Sequence, residues 1–433
     1  VSGIAQTLEK TIGSASIRPW ESLEDQERSQ FSPALIPHTS PQCIAYPQTI
    51  AELSEVLAVA AANRWRMLPC GSGSKLHWGG LTEVDLIVST ARMNRLIDHA
   101  VGDLTVTAEA GMRIADLQTE LAKGGQFLAI DPSYSATATL GGIVATGDTG
   151  ALRQRYGGIR DILIGLSFVR SDGAIAKAGG RVVKNVAGYD LMKLFTGSYG
   201  TLGVISQVSF RIYPLPAAAR TVMLQGNAEA RCSADTARVA QATQTLLASS
   251  LTPTAIALIP SPDQISLLTR FQNLEVSVEQ QSEQLLKLGE ALGLSGQAWT
   301  GTEEAEQWQR LQDQIETVTP ATPIACKIGV LPSKAVETLA KINAIVPTTG
   351  GIYPGSGLGT LRFGDIPAST LLKLRDLCQA QGGFLTVLEA PAELKRSIEV
   401  WGYSGNALNL MQKIKHQFDP QALLSPRRFV GGI

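Results

Sequence analysis

The sequence predicts an α+β fold divided over more than one domain, and three observations lead there. At 433 residues the chain exceeds the ~150 residues of a typical domain, and its 44% hydrophobic content can fill sizeable cores without staples or metals. Helical spacing and period-two alternation both occur in the first half, yet they never settle into a long βαβα series. The 42 glycines are concentrated between Gly71 and Gly203, where backbone has to turn sharply or approach a ligand closely.

Residues 1–36 show no clear strand and read as a helical lead-in. Pro37, Pro41 and Pro47 mark an extended entry, after which Thr49-Ile50-Ala51-Glu52 has the form of a capping box. Leu53, Val56, Leu57 and Ala60 follow at helical spacing, so a helix is predicted to about Asn63. Trp65–Pro69, Leu86–Val88 and Leu104–Ala110 are strand candidates, and Ile114, Leu117 and Leu121 define a second helix stopped at Gly124-Gly125. Leu163–Arg170, the Asp172-Gly173 turn and Ala174–Ala178 predict a hairpin. Val204–Ile212 alternates as a half-buried strand and ends at Pro214-Leu215-Pro216, which closes the first domain, 37–216. A second α+β domain with a weak signature spans 217–390. The closing segment, 391–433, is predicted helical from Leu394 through Gln417.

Charge and cysteine usage exclude several classes of function. A net charge of −1 provides no positive field for a phosphate backbone, so nucleic acid is not an expected partner. The five cysteines are dispersed without a C-x-x-C pair, which indicates no disulfide framework, no iron–sulfur centre and no metal site, and fits a reducing compartment. The first ten residues lack the basic start and apolar run of a secretory signal, and no stretch reaches the ~18–20 apolar residues of a membrane span. A soluble chain is expected, one that touches a membrane only through a partner.

Four small-residue stretches carry the chemistry. Cys70-Gly71-Ser72-Gly73-Ser74-Lys75 follows a strand directly, so successive backbone N–H groups can converge on an anion, with phosphate the natural guest. Leu76 stands where a Rossmann loop needs its third glycine, which disfavours NAD, and no Walker A loop is present. The second stretch runs from Asp131-Pro132-Ser133 through Thr139-Leu140-Gly141-Gly142 to Ala145-Thr146-Gly147. It offers almost no large side chain to bury and suits backbone laid along a flat ligand. Tyr156–Asp161 is the third, and Lys184–Leu191 with Gly197–Ile205 the fourth.

In this order the stretches resemble the FAD-binding domain of the vanillyl-alcohol oxidase / p-cresol methylhydroxylase superfamily. Lys184-Asn185-Val186-Ala187-Gly188-Tyr189-Asp190-Leu191 further resembles the glycolate oxidase (glycolate dehydrogenase) flavin subunits, and the chain looks like the smaller, E-type subunit. The resemblance implies a two-subdomain FAD-binding domain of the p-cresol methylhydroxylase type, a second α+β cap domain, and a C-terminal segment that packs back on the FAD domain. It places the FAD pyrophosphate on Gly71, Ser72, Gly73 and Ser74 with flanking Cys70 and Lys75. Pro132, Thr139, Gly141, Gly142, Ala145 and Thr146 would lie along the ribityl chain and isoalloxazine, and Val204 and Ile205 at the adenine end or ring edge. No histidine lies inside the first loop, His77 falling just beyond it, so the FAD is expected to be non-covalent.

The catalytic residues are less legible. Oxidising a 2-hydroxy acid requires a base for the hydroxyl proton and a cation for the carboxylate, and this chain has four histidines. The H-x-G-D-G-N-x-H strand of the larger subunit and of D-lactate dehydrogenases finds its nearest counterpart in Tyr353-Pro354-Gly355-Ser356-Gly357-Leu358-Gly359-Thr360, with Tyr353 and Thr360 in place of the histidines. Tyr353 reads first as a packing or hydroxyl-bonding residue. Arg153, Arg155, Arg160, Arg181 and Lys184 are basic candidates near the flavin; Lys184 is taken as one that stabilises charge on the reduced ring, and Arg160-Asp161 as a local ion pair. The resemblance implies an FAD-binding subunit of a cytoplasmic glycolate dehydrogenase, working in glycolate metabolism (photorespiration). It would form a hetero-oligomer with a larger FAD-binding subunit and an iron–sulfur subunit, peripheral to the inner membrane only through those partners. The alternatives are an FAD-binding relay or scaffold subunit without substrate chemistry, and an autonomous oxidoreductase for another hydroxy acid such as D-lactate.

Overall fold

The computed structural model describes residues 3–181, 188–226, 233–262 and 264–433, and the chain forms two compact units. The first unit comprises Val1–Thr149, Gly158–Leu215 and Tyr403–Ile433, and the second Gly150–Gly157 and Pro216–Gly402. Among the described residues no helix is long and apolar enough to cross a membrane.

The first unit contains a four-stranded sheet in the order Ile17–Pro19, Cys43–Ala45, Leu86–Ser89, Met67–Cys70. Its first pairing is antiparallel and the other two parallel. Helix Ile50–Ala62 makes the crossover that the parallel pairing requires. Thr49 Oγ1 accepts the Glu52 N–H at 3.2 Å, as a capping residue should. The Glu52 carboxylate accepts from Gln48 N at 2.8 Å instead of from Thr49, so only half of the predicted capping box forms. Leu53, Val56, Leu57 and Ala60 are fully buried and pack with Met67, Leu86 and Val88. The lead-in is helical at Ile4–Ile12 and Asp25–Phe31 but also holds the strand Ile17–Pro19, too short to leave a periodic signal.

A five-stranded antiparallel sheet follows, in the order Leu96–Ala100, Thr105–Glu109, Val204–Arg211, Leu163–Val169, Ile175–Gly179. The predicted hairpin forms between its last two strands, turning at Gly173 with φ +86°. Ser54 Oγ donates to Gly173 O at 2.6 Å and so fastens this turn to the crossover helix. Val204–Arg211 lies at the centre and is not half-buried as its alternation predicts. Only Gln207 and Arg211 are partly exposed, whereas Ser206 and Ser209 are buried and Ser209 is bonded across the ladder to Thr107 at 2.7 Å. On its apolar side Val208 and Phe210 join Phe168 and Phe195 in the core of this sheet.

The expected closing segment, 391–433, divides: residues to Gly402 group with the second unit, and Tyr403–Ile433 belongs to the first. Met67 donates to Leu423 O at 2.7 Å and Ser425 donates back to Met67 O at 2.8 Å, which extends the edge of the four-stranded sheet. Lys415 Nζ, buried, donates to Thr201 O at 2.8 Å and Leu424 O at 2.8 Å and lies 2.6 Å from Asp419 Oδ2. The continuous helix expected from Leu394 to Gln417 is instead two helices, Ala392–Ser397 and Leu408–Phe418. Between them the Glu399 carboxylate takes the N–H groups of Trp401 and Gly402, and Gly402 adopts φ +60°, a turn that no helix accommodates.

The second unit is built on an eight-stranded antiparallel sheet in the order Ser295–Thr300, Ala218–Gln225, Ile265–Asn273, Ala255–Pro260, Thr348–Tyr353, Leu358–Phe363, Ile324–Gly329, Phe384–Glu389. Alternate residues face opposite sides. Ile256, Leu258 and Leu267 join the main core, whereas Ala257 and Leu268 pack with Leu311 and Ile315 of helix Gly301–Glu316. That helix is clasped by buried charge at both ends. Glu304 bonds Thr221 Oγ1 and Arg270, and the Arg362 guanidinium takes the carbonyls of Ile315 and Glu316 while pairing with Glu389.

Candidate functional site

The candidate site lies wholly within the first unit and begins where strand Met67–Cys70 ends. Beyond it the chain turns through Gly71–Lys75, with Gly73 at φ +81°. Among the described residues, the backbone N–H groups of Ser72, Gly73, Ser74 and Lys75 donate to no protein acceptor. Four successive free donors in a concave turn are an anion cradle. The loop is held from outside by side chains bonding its other atoms: Gln30 Nε2 donates to Ser72 O, and Ser89 Oγ to Gly71 O at 2.8 Å.

The second stretch packs directly on this loop. Ser72 Oγ donates to Thr137 O at 2.5 Å, and a Cβ built on Gly71 would lie 1.9 Å from Thr139 Oγ1, so only glycine permits the approach. Thr139 caps helix Leu140–Thr146 by accepting the Gly142 N–H. The fourth stretch is tied to the same helix, since Gly197 donates to Val144 O at 2.9 Å and Tyr199 to Ala145 O at 2.8 Å. The three together line one cavity that opens to solvent.

Cys70, Gly71, Ser72, Gly73, Ser74, Lys75, Thr139, Gly141, Gly142, Ala145, Thr146, Val204 and Ile205 all line that cavity. Pro132 is buried in the second stretch and is not part of the lining. Burial pushes the Cys70 thiol up to about 12, so it stays protonated and contributes packing rather than a nucleophile. His77, beyond the loop, bonds Tyr134 Oη at 3.1 Å and does not line the cavity.

The remaining candidates are not gathered there. Tyr353 ends a strand of the second unit, where it packs against the cluster of Ala257, Leu268, Leu311 and Ile315. Pro354–Gly357 forms the tight turn to the next strand, with Gly357 donating to Tyr353 O at 2.9 Å. Arg153 and Arg155 sit on helix Arg153–Tyr156, which groups with the second unit, and Arg181 pairs with Asp98 at 3.2 Å. Asp161 accepts the Gly158 N–H at 2.8 Å instead of pairing with Arg160, because a carboxylate three residues into a short helix is drawn to its open amino end. Lys184 lies outside the described residues. Among the described residues no cluster of three or more His, Cys, Asp or Glu is arranged to hold a metal ion.

Asp148, Tyr199 and Arg428 escaped sequence reasoning. Asp148 Oδ2 lies 3.0 Å from the predicted Lys75, which is 7% exposed, and also accepts the Ser133 N–H at 2.8 Å, so one carboxylate links the first two stretches. Tyr199 lines the cavity with φ +53° and stacks on Phe429; burial pushes its phenol above the usual tyrosine range, with Asp148 adding to the effect. Arg428 also lines it, held by Trp78 O at 2.6 Å and Gly80 O at 2.9 Å. Burial lowers its guanidinium to about 10, which leaves it charged near neutrality. A carboxylate one residue past a glycine stretch and an arginine near the far end of the chain carry no local signature.

Residues 41–179 match the family model described as FAD binding domain. The glycolate oxidase subunit GlcE of Escherichia coli is 35% identical over 168 residues, 38% of this chain and 47% of that protein. The subunit GlcD of Bacillus subtilis is 31% identical over 224 residues, 51% of this chain and 46% of that protein. A probable mitochondrial D-lactate dehydrogenase of Danio rerio is 28% identical over 349 residues, 73% of this chain and 68% of that protein. The chain thus spans about half the length of the two glycolate oxidase subunits it matches. Among solved structures, p-cresol methylhydroxylase with substrate bound superposes with a TM-score of 0.73 at 14% identity, over 98% of this chain and 96% of that one. The 4-ethylphenol oxidase of Gulosibacter chungangensis also gives 0.73, at 13% identity and the same coverage. The cavity fits an FAD on its own terms: free N–H donors and the cations Lys75 and Arg428 suit a diphosphate, and the small-residue walls leave room for a flat ring.

Proposed function

We propose that this chain, which has the fold of p-cresol methylhydroxylase and matches an FAD binding domain over residues 41–179, is the FAD-binding subunit of a glycolate (2-hydroxy acid) dehydrogenase complex. In this reading it takes part in oxidising glycolate to glyoxylate and passes electrons to an iron–sulfur partner within a cytoplasmic hetero-oligomer that also contains a larger FAD-binding subunit. The observation that carries it is the convergence of three glycine-rich stretches on one cavity whose loop donors Ser72–Lys75 have no acceptor among the described residues. The likeness to both glycolate oxidase subunits supports the substrate class.

FAD, when bound, supplies a hydride acceptor that no side chain can provide. The chain's own residues bind and orient it. The loop donors hold anionic oxygens, Thr139 and Gly141–Gly142 bring backbone close, and Arg428 fixes a positive charge in the wall. The cofactor is held without a covalent bond, since no histidine lies in the loop. Acid precipitation is therefore expected to release all the yellow colour to the supernatant; colour left in the pellet would overturn the non-covalent assignment.

The likeness to a D-lactate dehydrogenase over a longer stretch favours a second reading, an enzyme for another hydroxy acid. The replacement of both motif histidines by Tyr353 and Thr360 favours a third, a relay subunit without substrate chemistry. Anaerobic stopped-flow mixing of the FAD-loaded chain with glycolate and with D-lactate separates the three. Bleaching of the visible flavin band by glycolate supports the first, bleaching by D-lactate alone the second, and no bleaching with FAD bound the third.

A further inference from the structure

Lys75 combines burial with hydrogen-bonding capacity that the protein does not use. It lines the cavity and is 7% exposed, and although Asp148 lies 3.0 Å away, its Nζ makes no aligned hydrogen bond to any described protein atom. An ammonium carries three N–H donors, and leaving them unmet away from water is costly. The missing acceptors have to come from whatever fills the cavity. Asp148 is 9% exposed, does not belong to the lining, and is fixed through Ser133 N–H at 2.8 Å. The other polar groups nearby are the Tyr199 phenol, which feels Asp148 and Arg428, and the Arg428 guanidinium on the carbonyls of Trp78 and Gly80.

We propose that Lys75 and Asp148 form a charge-setting pair in the cavity wall. Lys75 meets an anionic group of the ligand, and Asp148, acting through Lys75 as a positioning residue, restrains its pull. The proposal rests on the reading that the cavity takes FAD, whose diphosphate supplies the anionic oxygens. It goes beyond that reading by assigning opposite signs to the two members. A carboxylate beside a cation weakens the field that reaches a third, anionic group, and its removal strengthens that field.

Two near-isosteric substitutions test it. Lys75→Met keeps the stem against the Trp78 ring, whose centroid lies 5.6 Å from Nζ, and removes the charge. Asp148→Asn removes the charge and keeps an oxygen for the Ser133 N–H. Titration of the apoprotein is expected to show FAD bound about tenfold more weakly by Lys75→Met and about tenfold more tightly by Asp148→Asn. The double variant should lie close to Lys75→Met. Lys75→Arg, which keeps the charge, should bind FAD more tightly than Lys75→Met, a rescue that loss of packing alone would not give. A pair that merely braces the fold predicts weaker binding and a lower melting temperature in both, and that result would overturn the proposal. Titration with ADP, which brings the same diphosphate without flavin, separates the two levels of inference. Opposite signs with ADP but no FAD binding by the wild type would sink the flavin reading and leave the pair standing. No binding of either ligand by the wild type would remove both.

Discussion

Gly71→Val is expected to yield protein depleted of flavin. A Cβ at this position would lie 1.9 Å from Thr139 Oγ1, 2.8 Å from its Cβ and 2.9 Å from its Cγ2. Thr139 cannot swing aside like the end of a long side chain, because it caps helix Leu140–Thr146 through the Gly142 N–H and lines the cavity itself. Either the Gly71–Lys75 turn or the start of that helix has to move, and both carry cavity wall. Overpacking of this kind costs about 1–3 kcal/mol, and the strain falls on the geometry that binds. FAD affinity should drop by about tenfold to a hundredfold, read as flavin content after purification and by titration of the apoprotein. Gly102→Ala, where an added Cβ meets nothing within 4 Å, is the silent control. Wild-type flavin content in Gly71→Val would show that the two stretches do not jointly form the site.

The second large effect is expected at Asp419. Its Oδ2 lies 2.6 Å from Lys415 Nζ and accepts the Leu424 N–H at 2.8 Å, all of it buried. Asp419→Ala strands an ammonium among carbonyls and leaves an amide unmet. Breaking one side of a buried pair typically costs about 3–5 kcal/mol. Burial already lowers the Lys415 ammonium below the usual lysine range, with Asp419 opposing that effect. Amide exchange across 408–428 should therefore accelerate strongly in Asp419→Ala and much less in the double variant with Lys415→Met, which no longer buries a lone charge. Segmental exchange is the appropriate measurement, since a chain of two units need not unfold in one step. Equal exchange in the single and double variants would show that the charge pair is not what holds the segment.

Much of the first unit was legible because its signals are local. Thr49 with Glu52 announces a helix start, Leu53 to Ala60 its buried face, and Asp172-Gly173 a turn, and each forms where the sequence places it. The small-residue stretches were visible because so little else explains them. What stayed hidden depends on distant partners. The strand Ile17–Pro19 exists only through its pairing with Cys43–Ala45. The burial of Ser206 and Ser209 follows from a central place in the sheet that alternation alone does not reveal. Asp148, Tyr199 and Arg428 reach the cavity through tertiary contacts, and no spacing rule connects Arg428 to Trp78, 350 positions away in the chain. The break between Ser397 and Leu408 was missed because lysine and leucine on both sides keep a helical rhythm across it.

The same separation in sequence bears on how the protein is made. A wall that joins residues 68–76 to Arg428 cannot be completed while the ribosome is still adding the closing segment. Until then the edge of strand Met67–Cys70 lacks the Leu424 pairing, and the Arg428 side chain is missing from the carbonyls of Trp78 and Gly80. Contacts closed across so long a loop form late and slowly. The cavity wall is thus completed only once residues 424–428 have been made, and until then the nascent first unit carries an exposed sheet edge that a chaperone has most reason to protect.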